Sequence, residues 1–263
     1  MKKLLCLLLA LCLLCGCSSS SPDRGDEELH FPTLPQPTET EPPSETDPPA
    51  DLPTVPEHSP LYIPDLSVED VITYFNEVCL DAEFSTDGNP SLVQKWDVPL
   101  CYTIYGTATP EDLDTLNAFA DWLNTIEGFP GMYEASDPVE ANLTIHFCSE
   151  DVLLEILGDN FWGCDAGVTF WYEDNAIYSA VICYRTDLDQ YLRNSVILEE
   201  IYNGLGPVQD TDLRPDSIIY ADYSEPQNLT AIDELILKLL YHPDILCGMT
   251  AEECEAIVRE LYY

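Results

Sequence analysis

The sequence predicts an α+β domain with one central mixed sheet and flanking helices, preceded by a disordered stalk. Three observations predict it. Composition breaks near residue 62, from Pro, Thr and Glu with almost nothing to bury to a normal globular mixture. Beyond the break, helical and strand periodicities alternate along the chain. Capping signals then mark where several helices begin.

The expected organisation is a signal segment over 1–17, a linker over 18–62 and one folded domain over 63–263. About two hundred residues are enough for a single core. Lys2 and Lys3 precede a short apolar run, Leu4 to Leu14, too short for a comfortable membrane span. The run ends in Leu14-Cys15-Gly16-Cys17 and four serines. This resembles the bacterial lipobox, which implies lipid attachment at Cys17 and a domain held at the extracellular face of the cytoplasmic membrane. An ordinary secretory signal is the alternative. The stretch "FPTLPQPTETEPPSETDPPADLPTVPEHSP" cannot offset its ordering entropy and is expected to stay extended as a stalk.

Within the domain, Ser67 can cap a helix over Leu66 to Cys79, with Val71, Ile72, Phe75 and Val78 on one face. Pro99 to Gly106 reads as a strand. Thr109-Pro110-Glu111-Asp112 opens a helix with a cap, a proline in the first turn and acids near the positive dipole end. Ala141 to Cys148 alternates as a half-buried strand. Two further strands, "AGVTFWYE" and "NAIYSAVICYR", suggest a hairpin around Asp174-Asn175. A helix carrying "SVILEEIYNGLGPVQD" follows. Thr230 with Asp233, and Thr250 with Glu253, are capping boxes for two last helices, separated by Pro243.

Charge narrows the partners. Nine basic residues face 49 acidic ones, a net charge of −40. Such a polyanion repels phosphate backbones, so nucleic acid is not an expected partner, while cations and cationic partners are favoured. Of eleven cysteines, four lie in or at the end of the signal and seven in the body, with no CxxC pair among the seven. Cys247 and Cys254 are the best-spaced local pair for a disulfide, and an odd count leaves at least one thiol over.

The chemistry concentrates in Glu199-Glu200-Ile201-Tyr202-Asn203-Gly204-Leu205-Gly206. This has the frame of a zincin helix, H-E-x-x-H and then Gly, with other residues at the ligand positions. Glu199 and Asn203 stand at the two helix ligand positions, Gln209 or Asp210 at the third, and Glu200 at the general-base position. Downstream, Ser217-Ile218-Ile219-Tyr220 resembles the Met-turn of metzincins with Ile219 in place of Met. Leu229-Thr230, Asp233 and Leu240-Tyr241 continue the resemblance, and "ANLTIHF" is similar to a matrixin strand. The body also resembles an uncharacterised bacterial domain family with the motif Glu-Glu-x-x-Gln/Asn-x-Leu-Gly. Tyr241-His242-Pro243 and Gly248-Met249-Thr250 match its tail.

The resemblance implies a metzincin-like fold. It does not imply a zinc site, because every departure falls on a ligand and asparagine is a poor zinc ligand. Of the four histidines, His30 and His58 lie in the stalk, and no pair has ligand spacing. No cofactor is therefore expected. A hard cation such as calcium on Glu199, helped by Asp210 or Asp212, is the weaker option, since Asp210-Thr211-Asp212 lacks the glycine and terminal Glu of an EF-hand loop. The bland reading of the acids is one solvated glutamate and one held by Arg193, Arg214 or a backbone amide. The aromatic run around Phe161, Trp162, Phe170, Trp171, Tyr172 and Tyr178 is either core or an exposed binding patch. The expected function is a pseudo-metallopeptidase that binds a peptide, protein or cell-wall ligand. The alternatives are a divergent hydrolase using Glu200 and a purely structural envelope part.

Overall fold

The computed structural model describes residues 59–80, 92–221 and 225–263. Cys17 and the signal segment lie outside the described residues, as do all but the last four positions of the 18–62 linker. Helix α1 (Val68–Leu80) buries the stripe Val71, Ile72, Phe75 and Val78, and Ser67 exchanges hydrogen bonds with Asp70 at its start. Strands β1 (Lys95–Trp96) and β2 (Leu100–Gly106) follow, then α2 (Pro110–Leu123), with Thr109 and Asp112 forming a capping box. Next come β3 (Met132–Glu134), β4 (Leu143–Cys148) and a short helix α3 (Glu150–Leu157). Strands β5 (Ala166–Glu173) and β6 (Ala176–Arg185) form the expected hairpin. Asp174 and Asn175 both take positive φ, 51° and 65°, which is the backbone a two-residue hairpin turn requires. Helices α4 (Gln190–Gly204), α5 (Ala231–Leu240) and α6 (Ala251–Tyr262) complete the described residues.

The sheet runs β3-β2-β4-β6-β5, with β1 pairing the first residues of β6. The pairings β1·β6, β2·β3, β2·β4 and β4·β6 are parallel, and β5 alone runs antiparallel, at one edge. Helices interleave with these strands, as parallel crossovers demand. The described residues form a single mixed α/β domain with a central, mostly parallel sheet and six α-helices. The central parallel strand β4 alternates between buried and half-buried positions, whereas the antiparallel edge strand β5 is buried at five successive positions, Ala166 to Phe170.

Helix α4 lies against the hairpin, with its Gly204 over Val168 and Ile182. Tyr184 donates from its hydroxyl to the Ile197 carbonyl at 3.2 Å. The helix is buried along most of its length, and its buried residues include the charged Arg193 and Glu200. On the opposite sheet face, Leu153 of α3 packs with Phe161 and Cys183 in a small satellite cluster. The buried Lys95 donates to the Leu240 and Ile245 carbonyls, supplying a cation at the negative end of α5. At the domain's edge, Ser59 donates to the Leu261 carbonyl, Ile63 and the Tyr262 hydroxyl exchange bonds, and the Tyr62 and Tyr262 rings lie 5.7 Å apart.

Candidate functional site

The acid pair sits in the last two turns of α4. Glu200 is buried, 8% exposed, while Glu199 is half-buried. Burial pushes the Glu199 carboxyl up to about 8, and the negative charges of Asp210 and Asp165 add to the shift. Burial pushes Glu200 well above the usual carboxylate range, with Glu199 and Asp210 adding to it. The two glutamates therefore do not divide into one solvated acid and one acid held by an arginine. They share a neighbourhood dominated by negative charge, and it favours their protonated forms.

The two arginines named from the sequence are engaged elsewhere. Arg193 is 5% exposed and its Nε donates to Asp112 Oδ1 at 2.7 Å. Arg214 pairs with Asp216 at 2.9 Å. Asp112 lies in the first turn of α2 as expected, and it is also completely buried there. It accepts from Gln190 Nε2 and from the Thr109 amide as well, locking α2 to α4. Sequence reasoning missed this pair because its partners are 81 residues apart.

Asn203 follows Glu199 by four residues and Glu200 by three, so it belongs to the helix strip the acids share. It is 1% exposed, and neither its amide nitrogen nor its amide oxygen has a hydrogen-bond partner. Gly206 turns the chain at the helix end with φ of 130°, where a Cβ would approach the Gln94 carbonyl oxygen at 2.4 Å. Gln209 then donates from its side chain to the Asp210 carbonyl, and its backbone amide faces the Val78 carbonyl. The Asp210-Thr211-Asp212 run is an isolated pairing followed by a bend rather than the expected turn: Thr211 bridges to Tyr220 and bonds Glu77 through its hydroxyl. Thus the loop after α4 is paired directly with the Ser217-Ile218-Ile219-Tyr220 segment.

That segment is held from below. Ser217 donates to Asp233 Oδ1 at 2.6 Å, Tyr74 donates to Ser217 at 2.7 Å, and the Ile218 amide points at both Asp233 oxygens. Asp233 also accepts from the amide and hydroxyl of Thr230, closing its capping box. Ile218 and Ile219 are buried. Tyr202, fully buried, points toward α5 and donates to the Asp233 carbonyl, so it does not plug the strip that carries Glu199.

The remaining expectations resolve by position. His146 stacks on Tyr105 at 4.9 Å, and burial lowers its basicity, favouring the neutral ring. His242 lies 3.6 Å from Asp244, just past α5. Cys247 and Cys254 are both thiols, in different settings: Cys247 donates to the Lys95 carbonyl, and Cys254 is buried in α6. Of the aromatic run, Phe161 and Phe170 belong to the core, while Trp162 is 76% exposed. Among the described residues, no three His, Cys, Asp or Glu side chains are grouped to hold a metal ion, and no helix is long and apolar enough to cross a membrane.

Zinc does not fit this donor set. Zinc sites draw on thiolate, imidazole and carboxylate, and an amide with two protonated acids supplies neither the charge nor the softness. What the arrangement offers is hydrogen-bond donors, an acceptor and latent negative charge.

The titration has a consequence for stability. The folded protein holds a proton on Glu199 up to about pH 8, whereas an unfolded glutamate releases it near 4.5. Between those values the folded state binds more protons, so raising the pH costs stability. Urea midpoints should therefore fall steadily from about pH 5 to about pH 8, and Glu199→Gln should flatten that slope by roughly one proton. An unchanged slope in the variant would show that Glu199 titrates normally.

Comparison with known sequences places the region. A family profile described as "Protein of unknown function (DUF2927)" matches residues 68–260. No curated protein matches the chain.

Proposed function

On the premise that the chain belongs to the family described as Protein of unknown function (DUF2927), we propose that it is a lipid-anchored surface protein. Its domain has a metzincin-like fold without zinc, and it binds a peptide, protein or cell-wall ligand. The lipobox-like segment ending in Cys17 supports the anchor. The element order from β2 to α5 supports the fold reading: a strand–helix–strand series, an antiparallel edge strand, the motif helix, then a buried turn and a helix.

The observation that carries the binding reading is the state of Glu200. A general base must be ionised to accept a proton. Glu200 is buried among like charges, and burial first, with Glu199 and Asp210 adding to it, raises its carboxyl well above the usual range and opposes the ionisation a base needs. Asn203, at the second ligand position, has an open amide where a metalloprotease needs a neutral imidazole. A buried group that donates, beside one that both donates and accepts, suits recognition better than water activation.

The test is metal content and metal-dependent melting of the purified protein, with Glu199→Ala and Glu200→Ala alongside. Substoichiometric zinc and no zinc-dependent rise in melting temperature are expected. One zinc per chain, lost in Glu199→Ala, would overturn the reading.

One observation favours the divergent-hydrolase alternative. Glu199 titrates at about 8 beside a second carboxyl, and such pairs can pass a proton near neutral pH. On that reading Glu199, rather than Glu200, exchanges the proton. Peptide-bond cleavage by the purified protein that disappears in Glu199→Gln would establish it.

A further inference from the structure

A separate cluster of chemistry lies on the sheet face away from α4. Three cysteines gather there: Cys183 is fully buried with Leu153 and Phe161, and the half-buried Cys148 and Cys164 pack against them. Two of the three meet. In the parallel register of β4 and β6, Cys183 pairs with His146, and Cys148 lies two residues further along β4. Positions two apart share a sheet face, so the two side chains face each other across a diagonal. Their thiols hydrogen-bond. On the other side of Cys183 stands its β5 partner Gly167, and the Phe161 ring fills the space that a side chain would take there. An aromatic ring thus closes the β5 side of Cys183, and its sulfur neighbour is Cys148.

Two thiols in contact can serve as a reactive nucleophile, a metal clamp or a disulfide. Burial pushes both of these thiols up, the opposite of what a reactive cysteine needs. Zinc requires further ligands, and among the described residues no three His, Cys, Asp or Glu side chains are grouped to supply them. A disulfide needs only the two sulfurs and a permissive span. A diagonal between neighbouring strands lies near the upper reach of such a bond, roughly 7 Å between Cα atoms. Cys148 is the last residue of β4, where the chain leaves the sheet for α3, so a small adjustment is open to it. We propose that Cys148 and Cys183 are joined by a disulfide in the mature protein, stapling β4 to β6 beneath α3. The proposal rests on the surface location proposed above, because disulfides persist outside the cytoplasm.

The bond forms by exchange with an external disulfide as oxidant. The half-buried Cys148 reacts first. Its thiolate attacks one sulfur of the external disulfide, and the other half leaves as a thiol. Cys183 then gives up its proton, attacks the Cys148 sulfur and releases the second half as a thiol. Two protein thiols are oxidised, one external disulfide is reduced to two thiols, and two protons pass to the leaving sulfurs. The closed loop from 148 to 183 holds α3, β5 and the hairpin turn, so the bond removes freedom from the unfolded chain. Once formed, its Cys183 sulfur lies buried against Leu153 and Phe161, out of a reductant's reach.

The experiment uses the full chain in detergent, in two portions. One is extracted from bacteria under acid quench and its thiols are alkylated at once. The other is reduced and then exposed to oxidised glutathione. Peptide mapping without reductant reads the bonds, and thermal unfolding with and without reductant reads their effect. A Cys148–Cys183 cross-linked peptide is expected in both portions, and the bonded form should melt roughly 5–10 °C above the reduced one. Cys164→Ser should keep that difference. Cys148→Ser at the half-buried position and Cys183→Ala at the buried one should each remove it, so a folding defect in one variant does not decide the matter. A Cys148–Cys164 bond, or a glutathione adduct on Cys148 that never resolves, would overturn the pairing. Both thiols unbonded in both portions would overturn it too, and would leave the surface location standing. A bond that forms with glutathione but is missing from the cell extract would overturn the surface location, and the native bond with it.

Discussion

Asp112→Ala lowers the unfolding free energy by about 3–5 kcal/mol, the cost of leaving a buried guanidinium without its counter-charge. Arg193 keeps its bonds to the Leu188 carbonyl at 3.0 Å and to Gln190 Oε1 at 2.6 Å, but these carry no full negative charge. The loss is large because both partners are buried and because Asp112 also closes the cap of α2. Urea unfolding at neutral pH measures it. Asp112→Leu combined with Arg193→Met should recover much of the loss, since an apolar pair avoids the desolvation that the ions suffer. The pH dependence has a definite sign. Burial raises the Asp112 carboxyl, but its bonds from Arg193, Thr109 and Gln190 prevail and lower it below the ordinary 3.8. Its contribution is therefore complete above that value and disappears as pH falls through the lower folded value. Parent and variant should converge in strong acid. A loss under about 1 kcal/mol at neutral pH would mean that the pair behaves like an exposed one.

Asp233→Ala is expected to cost about 3 kcal/mol, because four donors lose their acceptor inside the core. They are the Ser217 hydroxyl, the Ile218 amide, and the amide and hydroxyl of Thr230. Asp233→Asn should recover little, since an amide nitrogen would confront donors where the carboxylate accepts. The effect has a local signature. Amide exchange at Ile218 and Ile219 should accelerate more than exchange in β4, because the 217–220 turn loses its anchor before the sheet loses anything. Uniform acceleration throughout the domain would show that the turn opens only with global unfolding.

Much of the fold was legible because local signals and long-range packing agreed. The Thr109–Asp112, Thr230–Asp233 and Thr250–Glu253 boxes all form, and Asp174-Asn175 makes the turn its residue types favour. Helix α3 was not anticipated: its eight residues make just over two turns, too few to display a helical period, although five of them are apolar. The three-residue β3 depends on pairing with β2 and carries almost no signal of its own. At the site, the frame of Glu199, Glu200 and Asn203 was visible as residues. Their burial, and with it their protonation, was not, because it depends on Asp165 and Asp210 arriving from other parts of the chain. Arg193, one of three candidate holders of a glutamate beside Arg214 and a backbone amide, pairs with Asp112 for the same reason: sequence shows which charges exist, and only the fold decides which of them meet.

The clasp between residues 59–63 and the end of α6 has a mechanical meaning. Ser59 and Ile63 are bonded to Leu261 and Tyr262, so the segment that begins the domain is tied to the helix that closes it. Tension applied to the chain ahead of residue 59 would first load that clasp and the α1–α6 contact behind it. Helix α4 lies further along the chain, among β5, β6 and α2. A pull from the N-terminal side would therefore peel the domain at its seam while the acid strip kept its shape until the seam gave way.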